Sequence, residues 1–348
     1  MYFHSLNFIY FFILLPLIIC YFYTQKLTKC RDEICPVDKV PQVMSYRPYG
    51  TLARALYEKR NADDRLEAYD NTRWYTIDSS KFREDILKLW IPLGLGPQKN
   101  QPDQTAKEFL SRSIERSNSL LLQAWHYLAR SILSSFISRT SVNGLLGRGS
   151  MHVFSREQFQ KLIDESNYKG PWTSLLDLGA GDGAITANIA ELFGKVFTTD
   201  ISAPMRWALQ KRKYIVLDVE KWHENAGPFN VILALNLLDR CDKPNLLLRQ
   251  LKSSLAPGGR LIIALVLPFS PYVEVGGRSD HKPSEYLPIK GSGIDGQIAS
   301  LIDRVFSPLG LKCLAWSKLP YLCEGDLAQS YYFLNDYIFV LEAQENEA

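Results

Sequence analysis

The stretch Leu175-Leu176-Asp177-Leu178-Gly179-Ala180-Gly181-Asp182-Gly183 restricts what this chain can fold into more than any other segment. Residues 175–178 read as a buried parallel strand, and the three glycines make a tight turn from strand into helix. Glycine is needed where the backbone approaches a ligand closely and φ turns positive. Gly179, Gly181 and Ala184 also satisfy the relaxed dinucleotide fingerprint, so the glycines alone do not choose the ligand. The acids do. Asp177 and Asp182 flank the place where a pyrophosphate would sit, and two carboxylates repel a dianion. They suit a ligand with a cationic amino-acid end, such as S-adenosylmethionine (SAM), which carries an ammonium and a sulfonium.

The segments around this turn repeat the same theme. Residues 184–193 read as a helix and 195–199 as a strand ending in Asp200. Residues 203–211 read as a helix, 214–217 and 229–235 as strands, 245–255 as a helix, and 260–267 as a very apolar strand. After a Pro- and Gly-rich insertion over 268–296 come a helix at 298–306 and closing strands near 312–316 and 332–341. Strand–helix alternation of this length implies an α/β fold with a doubly wound, mostly parallel, Rossmann-like sheet. With the acidic glycine turn, the fold class is that of a class I SAM-dependent methyltransferase carrying an N-terminal helical extension. In such a sheet the ligand lies outside the carboxyl ends of the strands. Asp200, at the end of the second strand, is therefore placed to accept hydrogen bonds from ribose hydroxyls.

Four segments divide the 348 residues. Residues 1–24 are a signal peptide or membrane anchor, because 7–23 are almost wholly apolar and aromatic, without a charge. Lys26, Lys29 and Arg31 follow directly, which favours an uncleaved anchor with the remainder in the cytosol. The expected location is the endoplasmic reticulum membrane, with mitochondrion or secretory lumen as alternatives. Residues 25–104 are a polar linker and helical extension, with short helices at 52–66 and 80–89. Residues 105–150 comprise a helical cap and a Gly-rich loop. Apolar residues at helical spacing (Phe109, Ile114, Leu120, Leu121, Trp125, Leu128, Ile132, Phe136) read as one broken or two consecutive helices packing over the core, with His126 a packing or surface histidine. Residues 151–345 form the SAM-dependent methyltransferase domain. The net charge of +3 is too small to imply nucleic acid binding. Six cysteines show no zinc-type spacing, so no metal is expected, and Cys30 and Cys35 are compatible with a disulfide or with two thiols.

The fourth strand runs into Leu235-Asn236-Leu237-Leu238-Asp239-Arg240-Cys241, beside the glycine turn. Enzymes that methylate amino groups often carry Asn/Asp-Pro-Pro-aromatic here. This chain does not, which argues against adenine, cytosine and glutamine amide as acceptors. Asn236 is placed to hold the methionyl end of SAM or the substrate, and Asp239 to accept an N–H of the acceptor. Cys241 needs no role, since methyl transfer uses no thiol relay.

The blocks SRTSVNGLLGRGSM (138–151), LLDLGAGDG (175–183), LNLLDRCDKP (235–244), ALVLPFSPYVE (264–274), KPSE (282–285) and LPYLCEGD (319–326) allow more. Through them the chain resembles the DREV, or methyltransferase-like protein nine, family of protein-histidine N-pros methyltransferases, from about residue 71 to 340. The resemblance implies methyl transfer from SAM to Nδ1 of a histidine in protein substrates bearing His-x-His motifs, x being small. It implies cofactor contacts at Asp177, Gly179, Asp200, Asn236 and Tyr321, to which the glycine turn adds Gly181. Catalytic contacts to the substrate histidine are implied at Asp239 and Tyr332. Members usually carry glutamate where this chain has Asp200, and aspartate can make the same ribose contact from a slightly closer backbone. Two rivals stand beside this reading: a methyltransferase of the same fold acting on a small histidine dipeptide, and a catalytically silent SAM-binding scaffold.

Overall fold

The computed structural model describes residues 49–98, 100–135, 139–273 and 280–344. The apolar segment 7–23, Cys20, Cys30, Cys35 and Phe136 lie outside them. Eight strands form one sheet: β1 (Met151–His152), β2 (Ser174–Leu178), β3 (Lys195–Thr199), β4 (Ile215–Val216), β5 (Phe229–Leu235), β6 (Leu255–Val266), β7 (Leu311–Glu324) and β8 (Tyr331–Ala343). Their order is β1-β7-β8-β6-β5-β2-β3-β4. Strands β6, β5, β2, β3 and β4 are parallel, whereas β8, β7 and β1 join antiparallel. The fold is the Rossmann-like α/β fold of class I methyltransferases, as the alternation of the sequence implied.

Its central strands are apolar on both faces because both faces are covered. Leu175, Val231 and Ile262 enter one core layer, and their neighbours Leu176, Ile232 and Ile263 enter the other. The chain leaves β2 to build β3 and β4 on one side, then returns to build β5 and β6 on the other. The direction therefore reverses between β2 and β5. A crevice opens there at the strand ends, where Asp177 and Asn236 face each other across the switch point.

Eleven α-helices occur among the described residues: α1 (Thr51–Glu67), α2 (Glu84–Leu87), α3 (Gln104–Asn118), α4 (Leu120–Leu133), α5 (Arg139–Leu145), α6 (Arg156–Glu165), α7 (Ala184–Ala187), α8 (Ala203–Lys211), α9 (Trp222–Asn225), α10 (Pro244–Ser253) and α11 (Ile294–Ser300). Local chemistry sets their starts. Asp103 accepts the backbone N–H of Ala106 at 2.9 Å to cap α3. Ser155 and Gln158 form a reciprocal capping box at the head of α6. Within 25–104, Trp74, Tyr75 and Leu93 enter one core layer and Ile86 the other, so residues 74–93 pack on the sheet. Ile91 donates to the Trp316 carbonyl at 2.9 Å, and the Trp316 indole donates to the Ile86 carbonyl at 2.7 Å.

Four local expectations need correction. Residues 139–145, read as part of a Gly-rich loop, form α5. The helix after the glycine turn lasts one turn only, because Ile189 leaves helical geometry with φ −125° and buries its side chain. The helix expected over 298–306 starts at Ile294 and continues as a π-helical turn over Leu301–Phe306. The long helical stretch does break, at Ser119 (ψ 93°), but its apolar stripe is turned outward. Phe109 is buried, whereas Ile114, Leu120, Leu121, Trp125, Leu128 and Ile132 are exposed, and Gln123, His126 and Ala129 face inward. Helical spacing fixes that a stripe exists; it does not fix what covers it.

Candidate active site

The glycine turn is laced to the end of β3. The backbone N–H of Gly179 donates to Thr199 Oγ1 at 3.2 Å, that of Ala180 to the Thr199 carbonyl at 3.0 Å, and that of Gly181 to Asp200 Oδ2 at 3.0 Å. Gly179, Gly181 and Gly183 have φ of 69°, 58° and 73°. A Cβ at Gly183 would also lie 2.8 Å from Leu209 Cδ2, so this turn needs glycine on two counts.

Asp177 is buried at the end of β2, and its Oδ2 accepts from Thr186 Oγ1 at 2.6 Å, which ties the strand to α7. Burial pushes its carboxyl up to about 7, against the Thr186 hydrogen bond and helped by the nearby Asp200 charge. Asp200 is also raised by burial, opposed by the Ser202 and Gly181 N–H groups. The Ser202 N–H reaches its Oδ1 at 2.7 Å. Each Asp200 oxygen thus holds one backbone donor and keeps a second acceptor direction for a ribose hydroxyl.

The facing wall comes from β5, β7 and β8. Asn236 adopts φ 51°, and its backbone N–H donates to the Ala264 carbonyl at 2.9 Å. Its side-chain Nδ2 donates to Asp336 Oδ2 at 2.9 Å, while its Oδ1 is buried with no hydrogen-bond partner among the described residues. Asp239 repeats this pattern. Its Oδ2 lies 3.3 Å from Arg240 Nε, and its buried Oδ1 has no partner among the described residues. Burial raises its carboxyl, with Arg240 opposing. The Asp239 carbonyl accepts the Tyr272 N–H at 2.7 Å, which anchors the segment after β6 over the site.

The two walls enclose one cavity of about 1830 Å³. It brings together Asp177, Gly179, Gly181, Asp200, Asn236, Asp239 and Tyr321 from the residues expected on sequence grounds. The Tyr321 hydroxyl is directed at Met151 Sδ. Tyr332 stands apart. It pairs with Cys323 across β7 and β8, its hydroxyl donates to Asp326 Oδ1 at 2.9 Å, and it is not among the cavity-lining residues. Three contributors went unread in the sequence. Asp336 is fully buried, its carboxyl raised to about 7 by burial, with Asn236 opposing and the Asp239 charge helping. The signal was an acid in the middle of the largely apolar run Tyr331–Leu341. The rim residues Gly144 and Arg148 come from α5 and the turn after it.

The arrangement favours a cation. Asp177, Asp200, Asp239 and Asp336 crowd one buried region, each raised by loss of solvent, so a positively charged ligand relieves a strain the free protein carries. The ammonium and sulfonium of SAM match that demand, and the unpartnered oxygens of Asn236 and Asp239 are ready acceptors. A profile of DREV methyltransferases matches residues 74–343. This chain belongs to the DREV methyltransferase family. The DREV site takes S-adenosylmethionine as cofactor and performs methyl transfer, on which family membership and the acidic cradle agree.

More distant likenesses are confined to the fold. The N-methyltransferase NodS of Bradyrhizobium japonicum, solved with S-adenosyl-L-homocysteine, is 19% identical, with 55% of this chain and 87% of that chain covered at a TM-score of 0.35. A candidate type 11 methyltransferase from Sulfolobus solfataricus is 16% identical, covering 55% of this chain and 94% of that one, with a TM-score of 0.34. A stretch of 183 residues is 28% identical to the hybrid PKS-NRPS synthetase lepA of Aspergillus flavus, 45% of this chain but 5% of that protein. This chain therefore spans a small fraction of that relative's length.

Proposed function

We propose that this protein is a protein-histidine methyltransferase that modifies Nδ1 of histidine in substrates with His-x-His motifs. The observation that carries the reading is the Asp239 carboxylate. One oxygen is engaged by Arg240, and the other is buried on the cavity wall without a partner among the described residues. A histidine whose Nε2–H donates to that oxygen is held in the tautomer with a bare Nδ1. Neutral imidazole is a competent nucleophile near its ~6.5 pKa, so no strong base is required. As the ring becomes positive, the Asp239 carboxylate steadies the imidazolium, and fixed alignment supplies much of the rate. Bound SAM supplies an electrophilic methyl group on a sulfonium sulfur.

On this reading Asp177, Gly179, Gly181, Asp200, Asn236 and Tyr321 hold the cofactor, while Asp239 meets the substrate; Tyr332, outside the cavity lining, has no contact with it. Cys241 stays out of the chemistry, since burial pushes its thiol up to about 12. A cavity of about 1830 Å³ exceeds the ~300–1000 Å³ typical of small-ligand sites, which supports a polypeptide segment entering beside the cofactor. We also infer that residues 7–23 associate the chain with the endoplasmic reticulum membrane, with the catalytic domain in the cytosol.

The test is incubation of the full chain with labelled SAM and a His-Ala-His peptide, its Ala-substituted control, and a free histidine dipeptide. Label in the His-Ala-His peptide alone is the expected result. Label only in the dipeptide contradicts a protein substrate, and cofactor binding without any transfer contradicts an enzyme.

A further inference from the structure

Between α5 and β1 the chain runs as a short strap, residues 146–150, along the cavity. Gly147, Arg148 and Gly149 line it together with Gly181 and Asp200 of the cofactor cradle. The helix that leads into the strap is fastened to the same cradle. Ser141 Oγ in α5 lies 3.1 Å from Ser202 Oγ, and the Ser202 N–H is the donor that holds Asp200 Oδ1. A Cβ on Gly144 would stand 2.8 Å from Met205 Cε, so α5 lies close against α8. The strap therefore starts beside the acid that meets the ribose.

A single carboxylate holds its far end. Glu324, the last residue of β7, accepts the Gly149 N–H at 3.0 Å and the Ser150 N–H at 3.3 Å on Oε2. Its Oε1 accepts from Arg116 Nε at 2.8 Å. Arg116, in the last turn of α3, reaches the strap as well, donating from Nη2 to the Gly147 carbonyl at 2.8 Å. The Glu324 N–H closes the set by donating to the Ser150 carbonyl at 3.0 Å. Consecutive N–H groups in a turn make a concavity for an anion, and here the chain supplies its own. An exposed ion pair would contribute little, but the Glu324 side chain is only 6% exposed and its charge rests on three protein donors. Removing it strands two backbone N–H groups and a guanidinium.

We propose that Glu324 is a positioning residue for cofactor binding, which with Arg116 clasps residues 147–150 into place as a wall of the cofactor cleft. Glu324 is not among the cavity-lining residues, so it acts through the strap backbone rather than by touching SAM. Without the clasp the strap must be ordered as SAM binds, and affinity falls with the fraction of molecules that already hold it in place.

SAM binding to the full chain is measured by calorimetry, and amide hydrogen exchange of residues 147–150 is followed with and without SAM. Neither readout needs a methyl acceptor, so the outcome is independent of which atom is methylated. Glu324→Ala is expected to weaken SAM binding about tenfold, as it would if roughly one molecule in ten kept the strap in place. Exchange at Gly149 and Ser150 should quicken in the free variant and slow again under saturating SAM. Glu324→Gln keeps an oxygen for the two N–H groups and is expected to recover most of the affinity. Arg116→Ala leaves the carboxylate on the backbone and is expected to weaken binding less than Glu324→Ala. Both residues act through one clasp, so the double variant should bind no worse than Glu324→Ala alone. Wild-type affinity in Glu324→Ala, or in Arg116→Ala should the former not fold, overturns the proposal. Equal losses in Glu324→Gln and Glu324→Ala overturn it too, as does fast exchange at Gly149 and Ser150 that saturating SAM leaves unchanged.

Discussion

At the scale of single residues the site turns on two amide and carboxylate oxygens left without partners. Asp239 selects the tautomer, so Asp239→Ala should keep SAM affinity by calorimetry while losing roughly 10²-fold or more in methyl transfer. Asp239→Asn should be nearly as poor, because an amide is a weaker acceptor and can turn its NH₂ toward the substrate. Asp336 acts one step back. By accepting Asn236 Nδ2 it fixes the amide so that Oδ1 is the end left without a partner among the described residues. Asp336→Leu frees that amide to flip and should weaken SAM binding about tenfold, whereas Asp336→Asn, which keeps an acceptor, should restore most of it. Wild-type affinity in Asp336→Leu would remove Asp336 from the account. Asp177, Asp200, Asn236 and Asp239 were legible in the sequence because they sit at strand ends of a recognisable α/β unit. Asp336 was not. It lies on an antiparallel strand, where no ligand rule applies, and its role comes only from register opposite Leu319 and Val266 and contact with Asn236.

At the scale of elements, the glycine turn and the outer helices behave differently. Gly179→Val forces a β-branched residue to φ 69°, with a Cβ 3.2 Å from Leu237 Cδ1, and should abolish measurable SAM binding with the far-ultraviolet dichroism retained. Helix α1 is latched by a buried lysine. Lys59 Nζ reaches Asp63 Oδ2 at 2.5 Å, Ser330 Oγ at 2.8 Å and Asn118 Oδ1 at 3.0 Å, joining α1 to α3 and the turn before β8. Lys59→Met should lower stability by about 1–3 kcal/mol in chemical denaturation, since it strands those acceptors. Most elements were legible from period and punctuation, with β3, β5 and α8 found at their observed bounds. The outward face of α4 was not, because spacing reports amphipathicity but not the identity of the covering surface. Strand β1, two residues paired to β7, is too short to leave a pattern.

At the scale of the whole molecule, the buried acids make free protein sensitive to pH. Asp177 and Asp336 are raised from 3.8 to about 7, so their contribution is full below the unfolded value and is lost as pH rises through about 7. His152 works in the opposite sense, lowered to about 4 by burial, but only between that value and 6.5. Between pH 6 and 8 the acids dominate, and Tm of the free protein should fall by roughly 2–8 °C. Saturating SAM, which brings positive charge to the same carboxylates, should diminish that fall; an unchanged slope would separate the acids from the cofactor site. The central claim concerns which nitrogen receives the methyl group. Full chain, SAM and a His-Ala-His peptide should be incubated, the peptide hydrolysed, and the product compared chromatographically with both methylhistidine isomers, which share one mass. The account predicts methyl on Nδ1, with turnover at limiting substrate rising as pH passes the substrate histidine pKa and the raised Asp239 value, then levelling. Predominant methylation on Nε2, or on lysine or arginine, would contradict it.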